Sequence, residues 1–130
     1  MKNVSFVMTP EEVQKFKKGG YMSKGARLDG FEGLYVSWAT NPEAAKEIMP
    51  PPLQVALPVA TAYIAYVGNA NYALPYMEAG IAVPAVYDGV VGFYYINFQL
   101  TGDGAQMATF LGRESGGIPK KFADNIRLNR

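Results

Sequence analysis

The chain has 130 residues and a formal charge of +1, which is room for one domain and gives no electrostatic case for a nucleic-acid or anionic-membrane partner. It contains no cysteine and no histidine, which excludes disulfides, thiolate nucleophiles, serine–histidine triads and the usual zinc sites. Chemistry here has to come from lysine, carboxylates, tyrosine or arginine. The N-terminal "MKNVSFVMTPEE" is too short in apolar residues for a signal peptide. Later apolar stretches are interrupted before they reach membrane-spanning length, so a cytoplasmic location and no membrane partner are expected.

In chain order, Thr9 and Glu12 form a capping box with Pro10 at the first helical position and Gly19-Gly20 as a stop, which predicts a helix over about 10–18. "GLYVSW", Gly33 to Trp38, reads as a strand. Thr40 and Glu43 frame a second short helix, ended by Pro50, Pro51 and Pro52. Leu57 to Val67, rich in β-branched and aromatic residues on both alternating faces, predicts a strand buried on both sides. "YMEAGIAVPAVYDG" and "VVGFYYINFQL" predict a hairpin through Asp88-Gly89. In its second strand Tyr94, Ile96, Phe98 and Leu100 are expected to share a face. "GDGAQMATFLGRE" predicts a helix capped by Asp103, with Gly112 near its end. "NIRLNR" reads as the opening of another strand. The fold class is α+β, mainly antiparallel, with a sheet that curls round a partly polar cavity.

The stretch "GRESGGIPKK", Gly112 to Lys121, lacks the Lys-Ser/Thr of a phosphate loop, and "TGDGAQ" lacks the spaced acidic ligands of a calcium loop. From composition alone Lys120 and Lys121 are two solvated charges. Pro119, however, restricts Ile118 to extended conformations, and alternation then places Lys120 on the face of Ile118 and Lys121 on the other. One lysine can be buried while its neighbour stays wet. A free lysine titrates at about 10.4, so at pH 7 only about one in a few thousand is the nucleophilic amine, and burial raises that fraction. By position alone, Glu78 in "YMEAGIAVP" is expected to face solvent, because an unpartnered inward carboxylate is costly.

Taken together, "GRESGGIPKK", "MPPPL" and "YMEAGIAVPAVYDGVVGFYY" resemble the acetoacetate decarboxylase superfamily in order and spacing from about Gly33 to Lys121. The resemblance implies a barrel-like fold and a Schiff-base lysine at Lys120, with Lys121 as the adjacent cation and Glu78 as an acidic group in the pocket. Arg113 and Glu114 would pair with each other or hold the turn. The implied activity is decarboxylation of a β-keto acid such as acetoacetate through an imine and an enamine, with no cofactor and no metal. Homo-oligomerisation is expected. Two positions depart from the decarboxylase pattern: Phe31, beside Glu32, stands where an arginine is usual, Arg27 being the nearest, and Tyr63 stands where a second pocket glutamate is usual. These departures keep open an aldolase-dehydratase acting on pyruvate or another oxo acid, and a binding module without turnover. The family domain is roughly twice this length. Residues 1–130 are therefore expected to lack its C-terminal half, as a fragment or with a partner chain supplying the rest, since alone they would leave open sheet edges.

Overall fold

The computed structural model describes residues 25–128, together with Pro10, Glu11 and Gln14. Those three are helical, and the remainder of the helix expected over 10–18 lies outside the described residues. In chain order the elements are β1 (Leu28–Ala39), α1 (Pro42–Ile48), β2 (Gln54–Val55), β3 (Val59–Ala70), β4 (Tyr76–Tyr87), β5 (Val90–Thr101), α2 (Ala105–Gly116) and β6 (Lys120–Phe122). Among the described residues no helix is long and apolar enough to cross a membrane.

The strands form one six-stranded sheet in the order β1-β3-β4-β5-β6, with β2 paired to β4. All pairs are antiparallel except β5 with β6. That parallel pair requires a crossover, which α2 supplies. The expected barrel is not formed by the described residues: β1 and β6 remain the two ends of an open path, and no strand pairs them. The β4–β5 hairpin turns at Asp88 and Gly89 with φ of 48° and 75°, the left-handed pair that a two-residue hairpin turn needs.

Helix α1 starts one residue later than expected. The side chain of Asn41, not Thr40, accepts from the backbone N–H groups of Glu43 and Ala44 at 2.8 and 3.4 Å. The expected side-chain cap from Asp103 is also absent: α2 has Gly104 at its N-cap with no side-chain hydrogen bond. At its other end α2 runs past Gly112 to Gly116, and Gly117 closes it at φ 63°, a left-handed cap that a side chain would strain. The N–H of Gly117 returns to Arg113 O and that of Ile118 to Gly112 O, at 3.1 and 3.0 Å. Beyond it, Lys120 N–H donates to Ile118 O at 2.7 Å across Pro119, so the entry to β6 is a tight turn and not a loose loop. Asn125 to Leu128 form no strand, contrary to the expectation for "NIRLNR".

Two clusters make the core, on opposite sides of β4. Val67, Tyr76, Phe98, Leu100, Ala105 and Ala108 pack α2 onto one face, and Ala45, Met49, Val83 and Ala85 pack α1 onto the other. A register shift between Ile81 and Ala82 corrects the face expected for β5: Gly80 pairs with Phe98 but Ala82 with Tyr95. The extra residue in β5 is a bulge. It puts Tyr95 beside Phe98, with ring centroids 4.8 Å apart, leaves Ile96 47% exposed, and sends Tyr94 to the cluster around Val83.

Candidate active site

The pairing registers draw one row straight across the sheet: Tyr35 opposite Tyr63, Tyr63 opposite Gly80, Gly80 opposite Phe98, and Phe98 opposite Lys120. The next row on the same face is Gly33, Ala65, Glu78, Leu100 and Phe122. Lys120 and Glu78 therefore stand on one face in adjacent rows, with β5 between their strands. This juxtaposition joins residues 42 positions apart, so it is a property of the register, not of local sequence.

Lys120 is only 7% exposed, while Lys121 is exposed. The divergence expected from Pro119 and strand alternation is what the backbone produces. The Lys120 ammonium lies over the ring of Phe98, 4.7 Å from its centroid, a cation–π contact in a largely desolvated setting. On the other side its stem crosses Gly112 of α2, whose missing side chain leaves the space: a Cβ there would stand 2.6 Å from Lys120 Cδ and 3.2 Å from Nζ. A cavity of about 150 Å³ opens beside the lysine, lined by Tyr72, Ala108, Leu111, Gly112 and Ile118 among others.

Glu78 is 6% exposed, which corrects the expectation of a solvent-facing carboxylate. Its partner is Tyr63, whose hydroxyl donates to Glu78 Oε1 at 3.3 Å. Burial pushes the Glu78 carboxyl above the ordinary range, opposed by the charge of Lys120 and by the Tyr63 hydrogen bond. Burial lowers the Lys120 amine from its ordinary value, and the Glu78 carboxylate partly restores it. Desolvation thus leads for both groups, and their mutual attraction comes second. The arrangement shifts the amine toward its neutral form and the carboxyl toward its protonated form, so both titrate nearer to neutral pH than in water.

Tyr63 itself is held on several sides. It stacks on Tyr35 at 5.3 Å with an interplanar angle of 11° and meets Phe98 edge-on at 5.9 Å. Its ring lies over Gly80, where a Cβ would come within 3.0 Å of Cε1. Burial and the charge of Glu78 raise the Tyr63 hydroxyl well above the ordinary phenol range, so it is a donor at every physiological pH. Phe98, Tyr95 and Gly112 belong to this site as well. Sequence reasoning placed Phe98 only in a strand face and Gly112 only in a turn; their proximity to Lys120 has no local signature.

Arg113 and Glu114 are exposed and form no ion pair with each other among the described residues, so of the two expected alternatives, pairing or holding the turn, the pairing is not formed. Arg113 contributes to the turn through its backbone carbonyl. Both side chains line a wider groove of about 650 Å³ along α2 with Leu74, Met107, Phe110 and Phe122. Lys120 does not line that groove. No cluster of three or more acidic residues among those described is placed to hold a metal.

A mixed sheet thus buries one lysine over an aromatic ring, with a buried carboxylate on the same face. The sequence profile of the family described as Acetoacetate decarboxylase (ADC) matches residues 8–129, and the chain belongs to that family. It is 34% identical over 127 residues, 97% of this chain and 43% of the relative, to a protein of Lactiplantibacillus plantarum named CLA biosynthesis isomerase. It is 31% identical over 87% of this chain, and 43% of the relative, to an acetoacetate decarboxylase of Streptomyces nogalater. The crystal structure of acetoacetate decarboxylase from Legionella pneumophila superposes with a TM-score of 0.70 at 25% identity, covering 80% of this chain and 41% of that one. The chain thus spans less than half the length of these relatives.

Proposed function

We propose that this chain carries the reactive lysine of a Schiff-base lyase that decarboxylates a β-keto acid such as acetoacetate. The observation that carries the reading is the burial of Lys120 between Phe98 and Gly112 with Glu78 on the same sheet face. The neutral amine of Lys120 adds to the ketone, and loss of water leaves a protonated imine. Carbon dioxide departs as the electrons of its carbon–carbon bond move into the imine nitrogen, forming an enamine. A proton, delivered from the Glu78 side, adds to the enamine carbon. Water then hydrolyses the imine, releasing the ketone and the free amine.

A second reading is favoured by the 34% identity to the CLA biosynthesis isomerase over nearly the whole chain. The same imine, formed on an α,β-unsaturated ketone, loses a γ-proton to give a dienamine. Return of a proton at another carbon moves the double bond without loss of carbon dioxide. Both readings need the Lys120 imine and a proton exchanged at carbon.

The experiment is to incubate the protein with acetoacetate and borohydride and map the reduced adduct by mass spectrometry. An adduct on Lys120 is expected; intact folded protein with none defeats both enzyme readings and leaves a binding module. Carbon dioxide release from acetoacetate, set against double-bond migration in an unsaturated ketone, then separates the two.

A further inference from the structure

We infer that Tyr63 is a positioning residue for Glu78: its phenol holds Oε1, so that protons pass to and from the substrate carbon through Oε2. The inference rests on the reading of Lys120 as the imine-forming amine and concerns what that reading leaves open, namely how a buried carboxyl is kept competent for proton transfer.

Glu78 is nearly inaccessible, and its Oε1 is engaged by Tyr63 at 3.3 Å. Its Oε2 takes no hydrogen bond from any described residue. A carboxylate with one oxygen anchored and the other free has a defined direction for giving and taking a proton, while a freely rotating one does not. The anchor is itself fixed. Tyr63 stacks on Tyr35, meets Phe98 and Tyr95 edge-on at 5.9 and 6.4 Å, and passes over Gly80, which has no side chain to displace it. The Tyr63 ring touches Phe98, which stands opposite Lys120 in the same row, so the anchor and the nucleophile share one strip of sheet.

The charge of Glu78 reaches titratable groups on every neighbouring element: Tyr35 on β1, Tyr63 on β3, Tyr72 before β4, Tyr76 on β4, Tyr95 on β5 and Lys120 on β6; of these, Lys120 and Tyr63 act back on its carboxyl. The tyrosines are all raised above the ordinary phenol value and stay neutral, so Lys120 is the one basic group among them. Tyr63 is the one of these phenols that hydrogen-bonds the carboxyl. That bond favours the ionised form of Glu78, and removing it raises the pH at which Glu78 titrates.

The test uses acetone in D₂O, with Tyr63→Phe keeping the ring and removing the hydroxyl. Acetone condenses with the Lys120 amine, losing water; the imine gives a methyl proton to Glu78 and becomes an enamine. Deuteron return from the solvent-exchanged carboxyl and hydrolysis then release acetone carrying one deuterium in place of one hydrogen. In Tyr63→Phe the borohydride-trapped adduct on Lys120 is expected to stay within about twofold of the unsubstituted protein, while the exchange rate falls by about tenfold or more. The limb of the pH–exchange profile due to Glu78 moves to higher pH. In a Glu78→Gln background the same change is expected to add less than about twofold, because the two residues act as one unit. Unchanged exchange and an unmoved limb would overturn the inference. So would a parallel loss of adduct and exchange, or a full tenfold loss in the Glu78→Gln background. Absence of any adduct on the unsubstituted protein defeats instead the reading of Lys120, and this inference with it.

Discussion

The stem of Lys120 lies directly against the backbone of Gly112, so closely that a Cβ on residue 112 would stand 2.6 Å from Lys120 Cδ and 2.7 Å from Cε. Helix α2 and strand β6 are joined through Gly117 and Pro119, and this close approach is what lets the lysine turn inward under the helix instead of out to solvent.

Gly112→Ala is therefore expected to displace Lys120 without unfolding the domain. Alanine gains about 1 kcal/mol of helix propensity over glycine, which offsets the local crowding. The melting temperature should stay within a few degrees while the yield of borohydride-trapped ketone on Lys120 falls by about tenfold or more. Wild-type trapping in a folded Gly112→Ala protein would show that the lysine does not need this path.

Lys120→Ala and Lys121→Ala are expected to separate cleanly. The first removes the buried amine and should abolish the adduct. The second alters an exposed side chain, where substitutions cost within about 0.5 kcal/mol of stability, and the adduct on Lys120 is expected to persist. Mass mapping of adducts in both variants checks this, and equal, complete losses would contradict the divergence of the two side chains.

The pH dependence of trapping follows from the two opposed influences on Lys120. Below its titration the amine is protonated and unreactive, and reactivity rises as pH climbs through a midpoint lowered from 10.5 by burial. Glu78→Gln removes the negative charge that favours the ammonium form, so the midpoint is expected to move to still lower pH. A midpoint that rises in Glu78→Gln would show that the carboxylate does not act on Lys120 in this way.

Gly80 carries a structural demand of a different kind. A Cβ there would meet the backbone oxygen of Asn97 at 2.8 Å as well as the Tyr63 ring, and a backbone atom in a paired strand has little freedom to retreat. Gly80→Ala is expected to destabilise the fold by about 1–3 kcal/mol. Urea denaturation should show a lower midpoint at an unchanged slope.

Much of the framework was legible because it depends on local rules. The β4–β5 hairpin was readable from Asp88-Gly89, since few residues accept two successive positive φ angles. The divergence of Lys120 and Lys121 was readable from Pro119 and the period-two alternation of an extended chain, and the family resemblance pointed to Lys120 as the buried one. Local rules also misled where two candidates compete. Asn41 took the cap that Thr40 was expected to supply, and Gly112, which reads as a helix end, lies inside a helix that continues to Gly117, where the left-handed cap ends it. The face of β5 was misjudged at Ile96 because a bulge is set by pairing with β4, which a single strand's alternation does not contain.

Glu78 shows the boundary most clearly. In isolation it is a carboxylate in a strand, and solvent exposure is the physically cheaper outcome. Its burial becomes tolerable only because β3 brings the Tyr63 hydroxyl to it and β6 brings the charge of Lys120, and both arrive by strand pairing across long sequence separations. The sequence by itself determined the types of the main elements, the hairpin, the stiff entry to β6 and that Lys120 and Lys121 point to opposite faces. Tertiary structure alone decided that Lys120 is buried against Phe98 and Gly112 on the face of the Tyr63–Glu78 pair, because register and helix packing are cooperative properties of the whole sheet that no local stretch encodes.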